Sequence, residues 1–291
     1  HHRELTPEEQ MLLQNSYDGF VRSGALLDEA GKDRLRQLTE QAGLLTLQFS
    51  QNLLKEMKAF TLLITREEDL DGLPQTAVDA AAQTAAEHGT EGWLFTLDAP
   101  SYTPFMTYST RRELRRQLYM ARNSVCLHDN GENNLLICRQ LVNLRREVAQ
   151  LLGYETYADY VLVHRMASTT PKVYKLLYDL IDAYKPTAEK EWQELKTMAG
   201  DDLQPWDTAF YSHQLKMEKY NIDAEMLRPY FQLDKVVEGV FSLANRLYGI
   251  TFTENKDIPV YHPDVKAYEV TDRDGSYLAV FYADFHPRKG K

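Results

Sequence analysis

The chain has 291 residues, enough for a sizeable core arranged as one large or two modest domains. Its 43% hydrophobic and 26% charged residues describe an ordinary folded protein and exclude a disordered one. A formal net charge of -10 excludes a nucleic-acid surface, which needs clustered Lys and Arg, and no apolar run approaches the roughly 20 residues of a membrane helix.

Helical periodicity dominates from the start. Thr6 precedes Pro7 and two glutamates, so it is expected to cap a helix over 6–24 that carries Leu12, Leu13, Tyr17, Phe20 and Val21. Residues 28–58 read as a long amphipathic helix with one buried face through Leu35, Leu38, Ala42, Leu45, Phe49, Leu53 and Leu54. The runs at 60–65 and 92–97 change to strand character and are expected to pair as a small antiparallel ribbon around an Ala-rich helix at 75–88. Pro100 and Pro104 are expected to break the backbone before Met106.

Helices are predicted again at 111–123, 135–153, 156–165, 171–199 and 233–249. Turn residues at 129–131, 200–202 and 205 separate them, and Gly153 and Gly249 are placed to close two of them. A β element starts near Ile250. It ends in a hairpin, with strands at 265–271 and Tyr277–Ala283 joined by Asp272-Arg-Asp-Gly275. The second strand is apolar at every position, the pattern of a strand covered on both faces, but the chain offers nothing after it to cover it, so it is expected to be an exposed liability prone to self-association. The fold class is therefore mainly α: a helical lobe over 1–249 with the short ribbon, then a β element over 250–291.

Each chemical candidate has a structural counterpart that outweighs it. His128-Asp-Asn-Gly-Glu132 offers oxygen ligands in a glycine-containing loop but lacks the ligand spacing of a calcium loop, so a solvated turn is expected. His262 beside Asp264 reads as a packed side chain and a turn cap. Arg111, Arg112, Arg115 and Arg116 read as a solvated helical face, and the pairs Glu67-Glu68 and Asp201-Asp202 as turn residues without a visible partner. Most of the 18 tyrosines are expected between helices, although phenol rings also suit the wall of a peptide channel. Cys126 and Cys138 read as reduced thiols of an intracellular protein. The opening His1-His2-Arg3 has no apolar signal segment, and the expected location is cytoplasmic.

Several unusual strings recur in a fixed order: Ala99-Pro-Ser-Tyr-Thr-Pro-Phe-Met-Thr-Tyr108, Leu151-Leu-Gly-Tyr-Glu-Thr-Tyr-Ala158, Pro205-Trp-Asp-Thr-Ala-Phe-Tyr-Ser212 and Leu227-Arg-Pro-Tyr-Phe231. Near the end follow Tyr261-His-Pro-Asp-Val265, Tyr268-Glu-Val270 and Phe281-Tyr-Ala-Asp-Phe285, with the basic stretch 288–291. Together they resemble the thimet oligopeptidase family of zinc metallopeptidases, nearest to its peptidyl-dipeptidase (Dcp) branch, over nearly the whole chain.

The resemblance implies a helical, channel-forming fold and hydrolysis of short peptides, with release of C-terminal dipeptides. Cutting of internal bonds by an oligoendopeptidase of the same family, or a non-catalytic helical peptide-binding scaffold, are the alternatives. It also implies zinc in the parent enzyme, bound by His-Glu-x-x-His on a helix, with the motif glutamate taking a proton from the zinc-bound water. No such motif is present here: the histidines are His1, His2, His88, His128, His164, His213, His262 and His286. The chain is thus expected to be an internal piece, inactive alone, with the catalytic and metal residues beyond Lys291. No zinc is expected in the piece, and the missing catalytic half of the same protein is an expected partner.

Overall fold

The computed structural model describes residues 4–286, so the calls on His1-His2-Arg3 and on 288–291 lie outside the described residues. The chain is mainly α, with eleven α-helices and two small antiparallel sheets among the described residues. In order the elements are α1 (Pro7–Arg22), α2 (Glu29–Ala59), β1 (Leu62–Ile64), α3 (Gln75–Glu87), β2 (Trp93–Phe95), α4 (Ala99–Tyr108), α5 (Arg112–Asn123), α6 (Leu135–Leu151), α7 (Tyr157–Leu162) and α8 (Thr170–Ala199). A 3-10 turn at Pro205–Asp207 then leads into α9 (Thr208–Tyr220), α10 (Ala224–Leu227), α11 (Leu233–Tyr248), β3 (Thr251–Glu254), β4 (Lys266–Thr271) and β5 (Tyr277–Ala283).

The helix starts follow local chemistry. Thr6 and Glu9 form a reciprocal capping box on α1, and the Asp28 carboxylate accepts from the Gly31 N–H at the start of α2. Helices α2 and α6 run antiparallel: Arg34 reaches Glu147 at one end, while the Asn52 side chain donates to Asn134 at the other. Along their seam Leu38, Ile137, Leu141, Leu144 and Ala149 are buried. The seam covers less of α2 than the sequence suggested, because Leu53 and Leu54 are exposed.

The densest core lies where β1 and β2 meet α3, α4 and α5. Ile64, Leu70, Ala81, Phe95, Leu97, Phe105, Met106 and Leu118 form one buried cluster, with Phe95 and Phe105 edge to face at 4.7 Å. This core explains why Pro104 does not break the backbone: α4 runs through it from Ala99 to Tyr108. An internal proline costs a helix about 3 kcal/mol, and burying Phe105 and Met106 just after it contributes about 1.5–3 kcal/mol each. Helix α7 is shorter than predicted and stops at Leu162. Helix α9 was not predicted at all: its apolar residues do not gather on one face, and none of them is buried.

The β1–β2 ribbon pairs Leu62 with Phe95 and Ile64 with Trp93. It depends on Gly92, whose φ is +111° and whose position leaves a Cβ only 2.4 Å from the Ile64 carbonyl oxygen. Gly92→Ala is therefore expected to destabilise the chain by about 3 kcal/mol, combining positive-φ strain with overpacking. A urea midpoint unchanged by this substitution would contradict it.

At the other end, β4 is the centre of a three-stranded sheet with β3 and β5 on its sides. Gly275, at φ +81°, makes the β4–β5 turn, and a bulge interrupts the register near Val270 and Thr271. The Phe241 ring of α11 lies flat on Phe252 at 4.2 Å and edge-on to Tyr268 at 5.0 Å, with Phe281 at 6.1 Å. In keeping with the expectation that β5 is left uncovered in this chain, it is an edge strand, and every side chain from Tyr277 to Tyr282 is exposed. Among the described residues no strand lies outside it.

Candidate functional site

The histidines are scattered through the fold. His88 ends α3, His128 sits in the α5–α6 loop, His164 follows α7, His213 is on α9 and His262 precedes β4. Among the described residues no three His, Cys, Asp or Glu side chains come together as a metal-binding group. The described residues do not make a zinc ligand set among themselves.

The strongest polar centre joins α5 to the start of α9. Arg115 is 2% exposed and donates to the Asp207 carboxylate at 2.8 Å and to the Ser109 carbonyl at 2.6 Å. Its guanidinium also lies 4.4 Å over the Phe210 ring. Arg112 donates to the other Asp207 oxygen at 2.8 Å and to Asp202 at 2.9 Å. Burial works against the Asp207 carboxylate, but the bonds from Arg112, Arg115 and the Gln204 N–H outweigh it and hold its pKa below the ordinary range. The same bonds to Asp207 and Asp202 raise the pKa of Arg112.

Two expectations are corrected at this centre. Arg115 is buried rather than part of a solvated face, and Arg112, still exposed, turns to the same Asp207. Asp202 does have a partner, Arg112, and Glu68 has one in Arg66. Arg111 also bonds inward, to the Glu68 carbonyl, whereas Arg116 makes a surface pair with Glu113 as expected. The missed signal was the arginine pair itself, spaced by three residues on a predicted helix.

A second polar centre ties α4 to α9 and α10. The Tyr108 hydroxyl donates to Asp223 at 2.7 Å, and the His213 ring stands edge-on to Tyr108 at 4.7 Å. Burial and the Asp223 bond together push the Tyr108 pKa up. For Asp223, burial is outweighed by the Tyr108 and Glu225 N–H bonds, and its pKa falls. A phenol held protonated against an ionised carboxylate is a positioning bond; it supplies neither a nucleophile nor a general base.

The remaining candidates are structural, as the sequence suggested. Glu56 of α2 closes the 126–134 loop by accepting from Asn130 and from the Cys126 N–H, with the His128 Nδ1 3.2 Å away. Those bonds lower its pKa. At 262–264 the expected roles are reversed: His262 is half-exposed, and its Nδ1 makes the capping bond by accepting from the Asp264 N–H at 3.2 Å. Cys126 and Cys138 are free thiols, and burial raises the pKa of Cys126.

The tyrosines depart from expectation. Tyr174, Tyr178, Tyr184, Tyr220, Tyr230 and Tyr248 are exposed rather than packed between helices, as are Leu177, Leu180 and Ile181 along the first two-thirds of α8. Two grooves open on the helical surface. One of about 440 Å³ lies between α8 and α9 and includes Trp192, Leu195 and Leu215. The other, of about 860 Å³, lies where α1 and α2 meet α6 and α7.

The family model described as "Peptidase family M3" matches residues 105–291. "Oligopeptidase A" of Escherichia coli (strain K12) is 37% identical over 301 residues, which cover 100% of this chain and 44% of that protein. "Dipeptidyl carboxypeptidase" of the same organism is 35% identical over 294 residues, 99% of this chain and 43% of its own length. "Organellar oligopeptidase A, chloroplastic/mitochondrial" of Arabidopsis thaliana is 36% identical, covering 98% and 38% respectively. The chain thus spans less than half the length of these relatives.

Proposed function

Since the chain belongs to peptidase family M3, a family of metallopeptidases, we propose that it is part of a zinc enzyme that hydrolyses short peptides. The family match over 105–291 carries this reading. When bound, zinc would supply Lewis-acid activation of water, and its ligands are proposed to come from sequence outside this chain. The role proposed for these residues is to shape and line the space that receives the peptide. The exposed aromatic and aliphatic side chains of α8 and α11 support that role, because rings with one polar tip accommodate varied side chains. The same exposed faces support packing against the rest of the polypeptide as a second proposed role. Nothing in the fold favours nucleic acid or a bilayer as a partner, given the formal charge of -10 and the absence, among the described residues, of a helix long and apolar enough to cross a membrane. A cytoplasmic location is proposed with it.

The finer reading is release of C-terminal dipeptides. Internal cleavage is the second reading, favoured by relatives that carry the name oligopeptidase A. A full-length protein containing this chain, given a peptide with a free C-terminus and the same peptide as its amide, should release a dipeptide only from the first. Equal cleavage of both would establish the second reading. The 291-residue chain alone is expected to leave both peptides intact, and zinc-dependent cleavage by it would overturn the placement of the metal ligands outside it.

A further inference from the structure

The larger groove combines a cationic rim with apolar lining residues. Its rim carries three cations, Arg22, Lys32 and Arg36, against a single carboxylate, Glu40, on a chain whose formal net charge is -10. Leu35 of α2, Val148 of α6 and Leu152 just after α6 line it. We propose that this groove binds a small amphipathic carboxylate, with the acid group among Arg22, Lys32 and Arg36 and the apolar body against Leu35, Val148 and Leu152.

Three features support this ligand class. Arg22 is fixed in advance: it donates to the Tyr160 carbonyl at 2.8 Å and lies 4.2 Å over the Tyr160 ring, so holding it costs little further entropy. Lys32 and Arg36 are bound only to Glu29 and Asp33 one turn away, in exposed pairs worth at most about 1 kcal/mol. Both can turn to a ligand at small cost. Glu40 limits the negative charge the groove accepts, which favours a monoanion over a phosphate-rich polyanion. The volume, about 860 Å³, suits a molecule of drug-like size.

Either a fatty acid or the C-terminus of a short apolar peptide presents this chemistry, and methyl-labelled NMR of the chain distinguishes them. Titration with octanoate and with N-acetyl-Leu-Leu should shift the methyl signals of Leu35, Val148 and Leu152, and the tighter of the two identifies the source. Octanamide, which lacks the charge, should bind more weakly. Lys32→Glu with Arg36→Glu, both on the surface of α2, should weaken the carboxylate by about ten-fold or more, and added salt should weaken it too. Equal shifts from octanoate and octanamide, an affinity unaffected by the double charge reversal, or no shift at these three residues at millimolar ligand would each overturn the proposal.

Discussion

Replacing Asp207 with alanine is expected to cost about 3–5 kcal/mol of stability, because it leaves the buried Arg115 guanidinium without its counter-charge. The 1% exposed carboxylate collects Arg112 and Arg115 of α5 and the Gln204 N–H, so its loss also frees the 3-10 turn that starts α9. Asp207→Asn should cost less, since it keeps the shape and part of the hydrogen bonding while removing the charge. If the deficit comes from an orphaned charge, Arg115→Met combined with Asp207→Leu should cost much less than the sum of the two single changes. Additive costs in that cycle would contradict the explanation.

The pH dependence follows from the same carboxylate. Its folded pKa is depressed, so its contribution is fully present above the unfolded value near 4 and is lost as pH falls through the lower folded value. The wild-type chain should therefore lose stability below about pH 4 by more than the Asp207→Asn variant does. Parallel acid-unfolding curves for the two proteins would rule out this role for Asp207.

The second large effect is expected at β5, where the chain should self-associate edge to edge. An apolar edge strand exposed on both faces presents unpaired backbone groups and side chains to any second copy. Val280 alternates with Phe281, so its side chain is on the sheet face opposite the Phe241 cluster. Val280→Lys should thus keep the fold while shifting the chain towards monomer in analytical ultracentrifugation. A wild-type chain that is monomeric at high concentration, with the β5 amides protected from exchange, would count against this.

The exposure of β5 and the overturned break at Pro104 share a cause. An apolar run reports which side chains prefer burial, but what covers them is decided by other parts of a polypeptide. Likewise the propensity of Pro104 to end a helix is a local quantity, and it was outweighed by Phe105 and Met106 reaching a core built from β2, α3 and α5. The missed α9 lacks an amphipathic signal because its anchor lies at its start, in Asp207, rather than along a face.

Local chemistry by itself determined most of the elements: the Thr6 capping box, the Asp28 cap, the Gly249 stop and the Gly275 hairpin all arise within a few residues of sequence. The ordered aromatic strings also determined the family, since a series of rare words in fixed order is far more specific than any single motif. Only the tertiary structure decided that Arg112 and Arg115 turn inward to Asp207, that Tyr108 meets Asp223, and that α1, α2, α6 and α7 close around a cationic groove. These contacts join residues about a hundred positions apart, and nothing local to either partner encodes the other.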